Sequence, residues 1–174
     1  MNDADAGAGT EPTEAEVRAA VGPKVEYYTR RWLATEGGGF NWAAFFFAGL
    51  WLPYRKMYWT AAILYSVVIA ESLLEEMVFV GWLGWPETPP VVERGIATAI
   101  SVVCGVFGNR WYRTHVREAI AGARAQIADE PTRLAALARR GGTSVPGALV
   151  AGTLFLVLLI ATIVAQDLLL GTEP

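Results

Sequence analysis

The chain of 174 residues is poor in the residues that most chemistry needs: one cysteine, one histidine, and only 18% charged side chains. With Cys104 alone, an intrachain disulfide framework is excluded, and with His115 alone the usual zinc ligand sets cannot be assembled. Basic residues are not in excess, 14 Lys and Arg against 17 Asp and Glu, so composition gives no sign of nucleic-acid binding. The serines at 66, 72, 101 and 144 have no His/Asp arrangement and no Gly-x-Ser-x-Gly elbow. The glycines form neither a phosphate loop nor a dinucleotide fingerprint. The expectation is a non-enzymatic protein with no catalytic residue, no metal and no cofactor. An enzymatic role would have to rest on His115 with Glu118, and a polar structural role suits that histidine better.

The first 16 residues, MNDADAGAGTEPTEAE, lack a basic n-region and an apolar h-region, so no cleavable signal peptide is expected. Residues 1–16 read as a disordered acidic tail.

Apolar residues, in contrast, make up 53% of the chain and are gathered in long runs. Val145 to Ala165 contains no ionisable side chain, and at 1.5 Å per residue it covers a hydrocarbon core of ~30 Å. Residues 145–170 are therefore expected to cross a membrane, with Ser144 as their cap. Two earlier runs, 57–82 and 91–108, are the expected first and second spans, joined by the turn Gly84 to Pro90, GWPETPP. Small residues recur at four-residue spacing in both, Ala62, Ser66 and Ala70 in one and Ala97, Ser101 and Gly105 in the other. Such faces let backbones approach in lipid, so a tight hairpin is expected. Gly108-Asn109 is the expected inner end of the second span.

Before these spans, residues 17–36 have a helical pattern interrupted at Gly22-Pro23, with Val21, Val25, Tyr28 and Trp32 on one stripe. This is a helix covering its own protein or one lying at the membrane interface. Residues 40–52 offer about 13 apolar positions, roughly 20 Å of helix, too short to cross. They read as an interfacial or re-entrant helix, broken at Leu52 because Pro53 lacks an amide hydrogen and restricts its predecessor. Trp42, Trp51, Tyr54, Tyr58, Trp111 and Tyr112 are the expected anchors at headgroup level.

Residues 109–144 change character. On a helix, Arg110, Arg113, Arg117 and Arg124 fall within an arc of about 60°, beside an apolar arc of Tyr112, Val116, Ala119, Ile120, Ala123 and Ile127. A further helix is expected over 131–140, with Pro131 in its first turn and Gly141 at its end. The whole segment is read as a basic cytoplasmic helical loop. Lys and Arg are retained on the cytoplasmic side, and 13 of the 14 lie either before residue 57 or in this loop, leaving Arg94. Both basic regions share a side only if two spans separate them. The chain thus reads as all-α, with three spans, the N-terminus cytoplasmic and the C-terminus outside.

Two candidate sites follow. Arg55, Lys56, Arg110, Arg113, Arg117 and Arg124 would bind anionic lipid or a protein partner, at ~1 kcal/mol per cation near the surface, or they simply mark the cytoplasmic side. Glu71 and Glu75, four residues apart on one helix face, would suit a proton or ion pathway if held in a protected crevice, since a carboxylate in hydrocarbon is costly. Their plainer role is to end the first span in the outer interface.

The stretches VGPKVEYYTRRW, FNWAAFFFAGLWLPYRKMY, GNRWYRTHV and RRGGTSVPGAL occur in this order over about Val21 to Ala165. Together they resemble an uncharacterised bacterial inner-membrane family, a domain of unknown function. This chain departs from that pattern at Ala48-Gly49, where Gly-Pro is usual. The resemblance implies a bacterial inner-membrane location and topology, and no activity. The expected function is that of an accessory or scaffold protein, associated with membrane lipids and with a second copy or another membrane protein; a small transporter or channel component using Glu71 and Glu75 is the alternative.

Overall fold

The computed structural model describes residues 11–34 and 38–170. Among these the secondary structure is entirely helical, and they fall into two compact units. One is drawn from Met1–Phe40 and Phe107–Thr143, the other from Asn41–Val106 and Ser144–Pro174.

In the first unit, α1 (Glu14–Val21) opens with a capping box. The Glu16 amide donates to Thr13 Oγ1 at 3.3 Å, and the Thr13 amide donates to Glu16 Oε2 at 2.9 Å, so two otherwise orphaned donors are satisfied. The acidic tail expected over 1–16 is therefore corrected at its end: Thr13 to Glu16 are ordered by the cap. Residues 1–10 lie outside the described residues. Gly22, at φ 77°, turns the chain into α2 (Val25–Ala34). The stripe holds, with Val21, Val25 and Tyr28 buried. Tyr28 and Trp32 lie 4.8 Å and 5.9 Å from the Tyr112 ring, so this face covers its own protein.

The helix α6 (Pro90–Gln126) contributes residues from Phe107 onward to this unit. It is continuous through Gly108-Asn109, the expected inner end of the span. Asn109 does not turn its amide back on its own backbone; its Nδ2 donates to the carbonyls of Gly38 and Gly39 at 2.9 Å and 3.0 Å. With the side chain engaged elsewhere, nothing competes with the helical hydrogen bonds. Tyr112, Val116, Ile120 and Ala123 form its buried face, while Ala119 of the expected arc is exposed. The next helix, α7 (Glu130–Arg140), is capped by Asp129, which accepts from the Thr132 amide at 2.9 Å. It packs on α1 so closely that the Gly142 amide donates to the Ala20 carbonyl at 2.9 Å.

In the second unit, α3 (Trp42–Phe46) and α4 (Ala48–Tyr54) are separated at Phe47. The expected break at Leu52-Pro53 is thus corrected: Pro53 sits inside α4. A residue at 53 with an amide hydrogen would donate to the Gly49 carbonyl; that acceptor is taken by the Tyr65 hydroxyl instead. The helix ends two residues later in a Schellman motif, with Met57 N donating to Leu52 O and Lys56 N to Pro53 O, both at 3.0 Å. Lys56 carries the left-handed residue at φ 60°.

Next come α5 (Tyr58–Glu76), continued by a π-helical stretch Met77–Trp82, the first part of α6, and α8 (Val145–Leu170). The Ser144 hydroxyl accepts from the Gly147 amide at 3.0 Å, as expected of a cap. Among the described residues two helices, α6 and α8, are long and apolar enough to cross a membrane, and not three. Glu71, Glu75 and Glu76 in the last two turns of α5 weaken its apolar run. The tight hairpin expected from small-residue faces is also corrected. Ala62, Ser66, Ala70 and Ala97 are exposed, and α5 packs on α4 and α8, where Tyr65 stacks on Phe155 at 4.3 Å. A large aromatic pair gives more contact area there than the small faces could.

Candidate functional site: an arginine face and its carboxylate clamp

The arginines of α6 follow directly on the stacked pair Phe107 and Trp111, whose rings lie 6.0 Å apart. The face does not act as one array, because its members are engaged differently. Arg110 and Arg117 are exposed and Arg113 is half-buried. Arg124 is held inside the fold. Its Nε and Nη2 donate to Glu16 Oε1 and Oε2 at 2.9 Å and 2.6 Å, a fork on a fully buried carboxylate. Arg133 donates from Nε to Glu16 Oε1 at 3.1 Å and from Nη1 to the Ile127 and Ala128 carbonyls, both at 3.1 Å.

Glu16 therefore joins α1, α6 and α7 at one carboxyl group. The Arg124 hydrogen bonds are the main cause that holds its pKa down at about 2 from an ordinary 4.5; burial acts the other way and is outweighed. The reciprocal effect raises Arg124. A second carboxylate reaches the same face: both oxygens of Glu11 accept from Arg117 Nη2, at 3.1 Å and 2.9 Å. This pair is 46% and 74% exposed, so it contributes no more than about 1 kcal/mol.

The remaining candidates divide by unit. Arg55 is buried beside the Tyr54 ring, 5.7 Å from its centroid, and Lys56 is half-buried. Neither belongs to the unit of the α6 arginines. Glu71 and Glu75 are half-buried, and one oxygen of each, Oε1, is shielded without a hydrogen-bond partner among the described residues. Gln166 of α8 donates to the Ser72 carbonyl beside them at 3.3 Å. Of the expected anchors, Trp42 and Tyr58 are exposed, and Tyr54 and Trp111 are half-buried. Trp51 and Tyr112 are buried within the protein. His115 is half-buried, and burial lowers its pKa while Glu118 acts the other way.

Sequence reasoning passed over Glu16, taking it as the end of a tail. The signal was present: Thr13 with Glu16 three residues on is the capping-box pattern just ahead of an apolar periodic stretch. No pattern could have paired it with Arg124 and Arg133. No curated protein and no solved structure matches the chain. A family model does match, over residues 14–117, which includes α1, α2 and the α6 arginines up to Arg117. The chain therefore belongs to the family described as protein of unknown function DUF2628.

Proposed function

We propose that this protein is a non-enzymatic integral membrane protein of the bacterial inner membrane, an accessory or scaffold component that holds anionic lipid headgroups against Arg110, Arg113 and Arg117. The observation that carries the reading is the burial of the apolar helices. Only 6% of the most apolar stretch of α8 and 17% of that of α6 is buried, whereas the core helix of a soluble protein is mostly buried. Leu149, Val150, Leu154, Val157 and Ile160 are each more than half exposed, a continuous surface that lipid tails would cover.

The unit that gathers residues up to Phe40 with Phe107–Thr143 supports the topology read from the cations. Segments packed together lie on one side of a membrane, so the chain between them crosses an even number of times. The first part of α6 supplies one crossing, and α5 with its π-helical continuation supplies the other, despite its glutamates. The basic residues of that unit favour the cytoplasmic side for it, and α8 would then carry the C-terminus outside. Lipid is favoured over a protein partner by distance. Arg110 and Arg113 lie within five residues of Gly108, about 8 Å along the helix and comparable with the Debye length at physiological salt.

Binding of dioctanoyl phosphatidylglycerol to the full chain in neutral detergent tests the reading. The triple variant Arg110→Gln, Arg113→Gln, Arg117→Gln should bind at least tenfold more weakly, at ~1 kcal/mol per cation. Unchanged affinity would sink the lipid reading, and retention of a protein instead would favour the partner version.

The shielded oxygens of Glu71 and Glu75 favour a second reading, a transporter or channel component with this pair in a protected crevice. Cysteine at position 71, in a Cys104→Ala background, should then resist a membrane-impermeant thiol reagent applied from outside. Free reaction would exclude the buried site.

A further inference from the structure

The segment Glu11-Pro12 lies across the arginine face, and its chemistry is that of the ligand proposed for that face. The Glu11 carboxylate meets Arg117 through both oxygens, and the Glu11 carbonyl accepts from Arg124 Nη2 at 3.0 Å. A carboxylate and a phosphodiester present the same pair of acceptor oxygens to a guanidinium. Beside this contact is an open groove of about 480 Å³. Arg117 and Arg124 line it with Glu11 and Glu118, and Ile120 and Ala121 give it an apolar side. Behind the lining Glu16 pairs with Arg124 and Arg133, so three cations face three carboxylates, and the cluster is neutral while Glu11 is in place and positive once it leaves.

We infer that the acidic segment at Glu11 is an intramolecular competitor of the anionic headgroup, seated on the arginine face so that the protein holds its own lipid site partly closed. The inference rests on the lipid reading above. The tether is short: Glu11 is two residues from the Thr13 cap and five from Glu16, which is fixed by Arg124 and Arg133. That gives the carboxylate a high effective concentration at Arg117. The pair itself is exposed, and such pairs are weak enough to be displaced.

The test is the affinity of the full chain in neutral detergent for dioctanoyl phosphatidylglycerol, with dioctanoyl phosphatidylcholine as the uncharged-headgroup control. Glu11→Gln should bind the anionic lipid about two- to fivefold more tightly than wild type, the range set by an exposed ion pair. Glu11→Lys should bind more tightly still, and phosphatidylcholine should not distinguish the three proteins. The gain from Glu11→Gln should vanish in an Arg117→Gln background. If Glu11→Gln and Glu11→Lys bind as wild type while Arg117→Gln binds more weakly, the competitor is refuted and the lipid site stands. If the arginine variants also leave affinity unchanged, the lipid reading has failed and takes the competitor with it.

Discussion

Glu16 concentrates more of the stability of its unit than any other single side chain described above. Its carboxylate is fully buried and satisfied by Arg124, Arg133 and the Thr13 amide, so removing its charge leaves two guanidinium groups facing an amide. Breaking a buried pair in this way costs about 3 kcal/mol, somewhat less where the arginines keep access to water. Glu16→Gln should therefore lower the thermal midpoint of the full chain by several degrees, measured by far-UV circular dichroism in detergent. The same group makes a pH prediction. Its folded pKa of about 2 lies below the unfolded value of 4.5, so its stabilisation is complete above pH 4.5. It is lost as pH falls from there through 2, and the integral is about 3 kcal/mol. Between pH 5 and pH 2 wild type should lose this increment and Glu16→Gln should not; parallel melting curves for the two would contradict it. Lys56 offers a change of opposite sign. It holds a left-handed conformation at φ 60° that an L side chain adopts at a cost of about 1 kcal/mol. Lys56→Gly should melt above Lys56→Gln, the comparison that cancels the lost charge.

At the scale of elements, the helices whose ends are set by local chemistry were legible. Pro131 and Gly141 bound α7 where their residue types place a first turn and a stop, and Ser144 caps the start of α8. The misread break at Pro53 has a cause at a distance: the Gly49 carbonyl that the missing amide would have met accepts from the Tyr65 hydroxyl instead. Packing between α1 and α7 gives a prediction at this level. A Cβ at Gly141 would stand 2.1 Å from the Ala20 carbonyl oxygen, part of the α1 backbone that cannot step aside alone. Gly141→Ala should separate the two helices and destabilise by 1–3 kcal/mol, about the range of an overpacked site. Gly122, in the last two turns of α6, has nothing within 4 Å of such an atom, so Gly122→Ala should stabilise by about 0.5–1 kcal/mol. Denaturation of both variants in detergent gives the two signs; a neutral Gly141→Ala would mean the helices are less closely packed.

For the whole molecule, the proposed topology places the turn between α5 and α6 outside and the unit bearing the arginines inside. Single cysteines in a Cys104→Ala background distinguish this from its alternatives. Glu87→Cys should react with an impermeant thiol reagent on intact cells, and Thr143→Cys only after the membrane is opened. Equal labelling of both from outside would mean that one of the intervening helices does not cross.

The sequence by itself determined the helical class, two of the three runs expected to cross a membrane, the side bias of the cations and the cap at Ser144. All of these depend on residues a few positions apart, where periodicity and hydropathy act directly. Only the tertiary structure decided which cations are available. The arc placed Arg124 beside Arg110 and Arg113 as an equal, but its partner Glu16 lies 108 positions away in the chain. Burial and pairing at that separation turn one member of a basic face into a structural clamp, and leave Arg117 facing a carboxylate that an anion can replace.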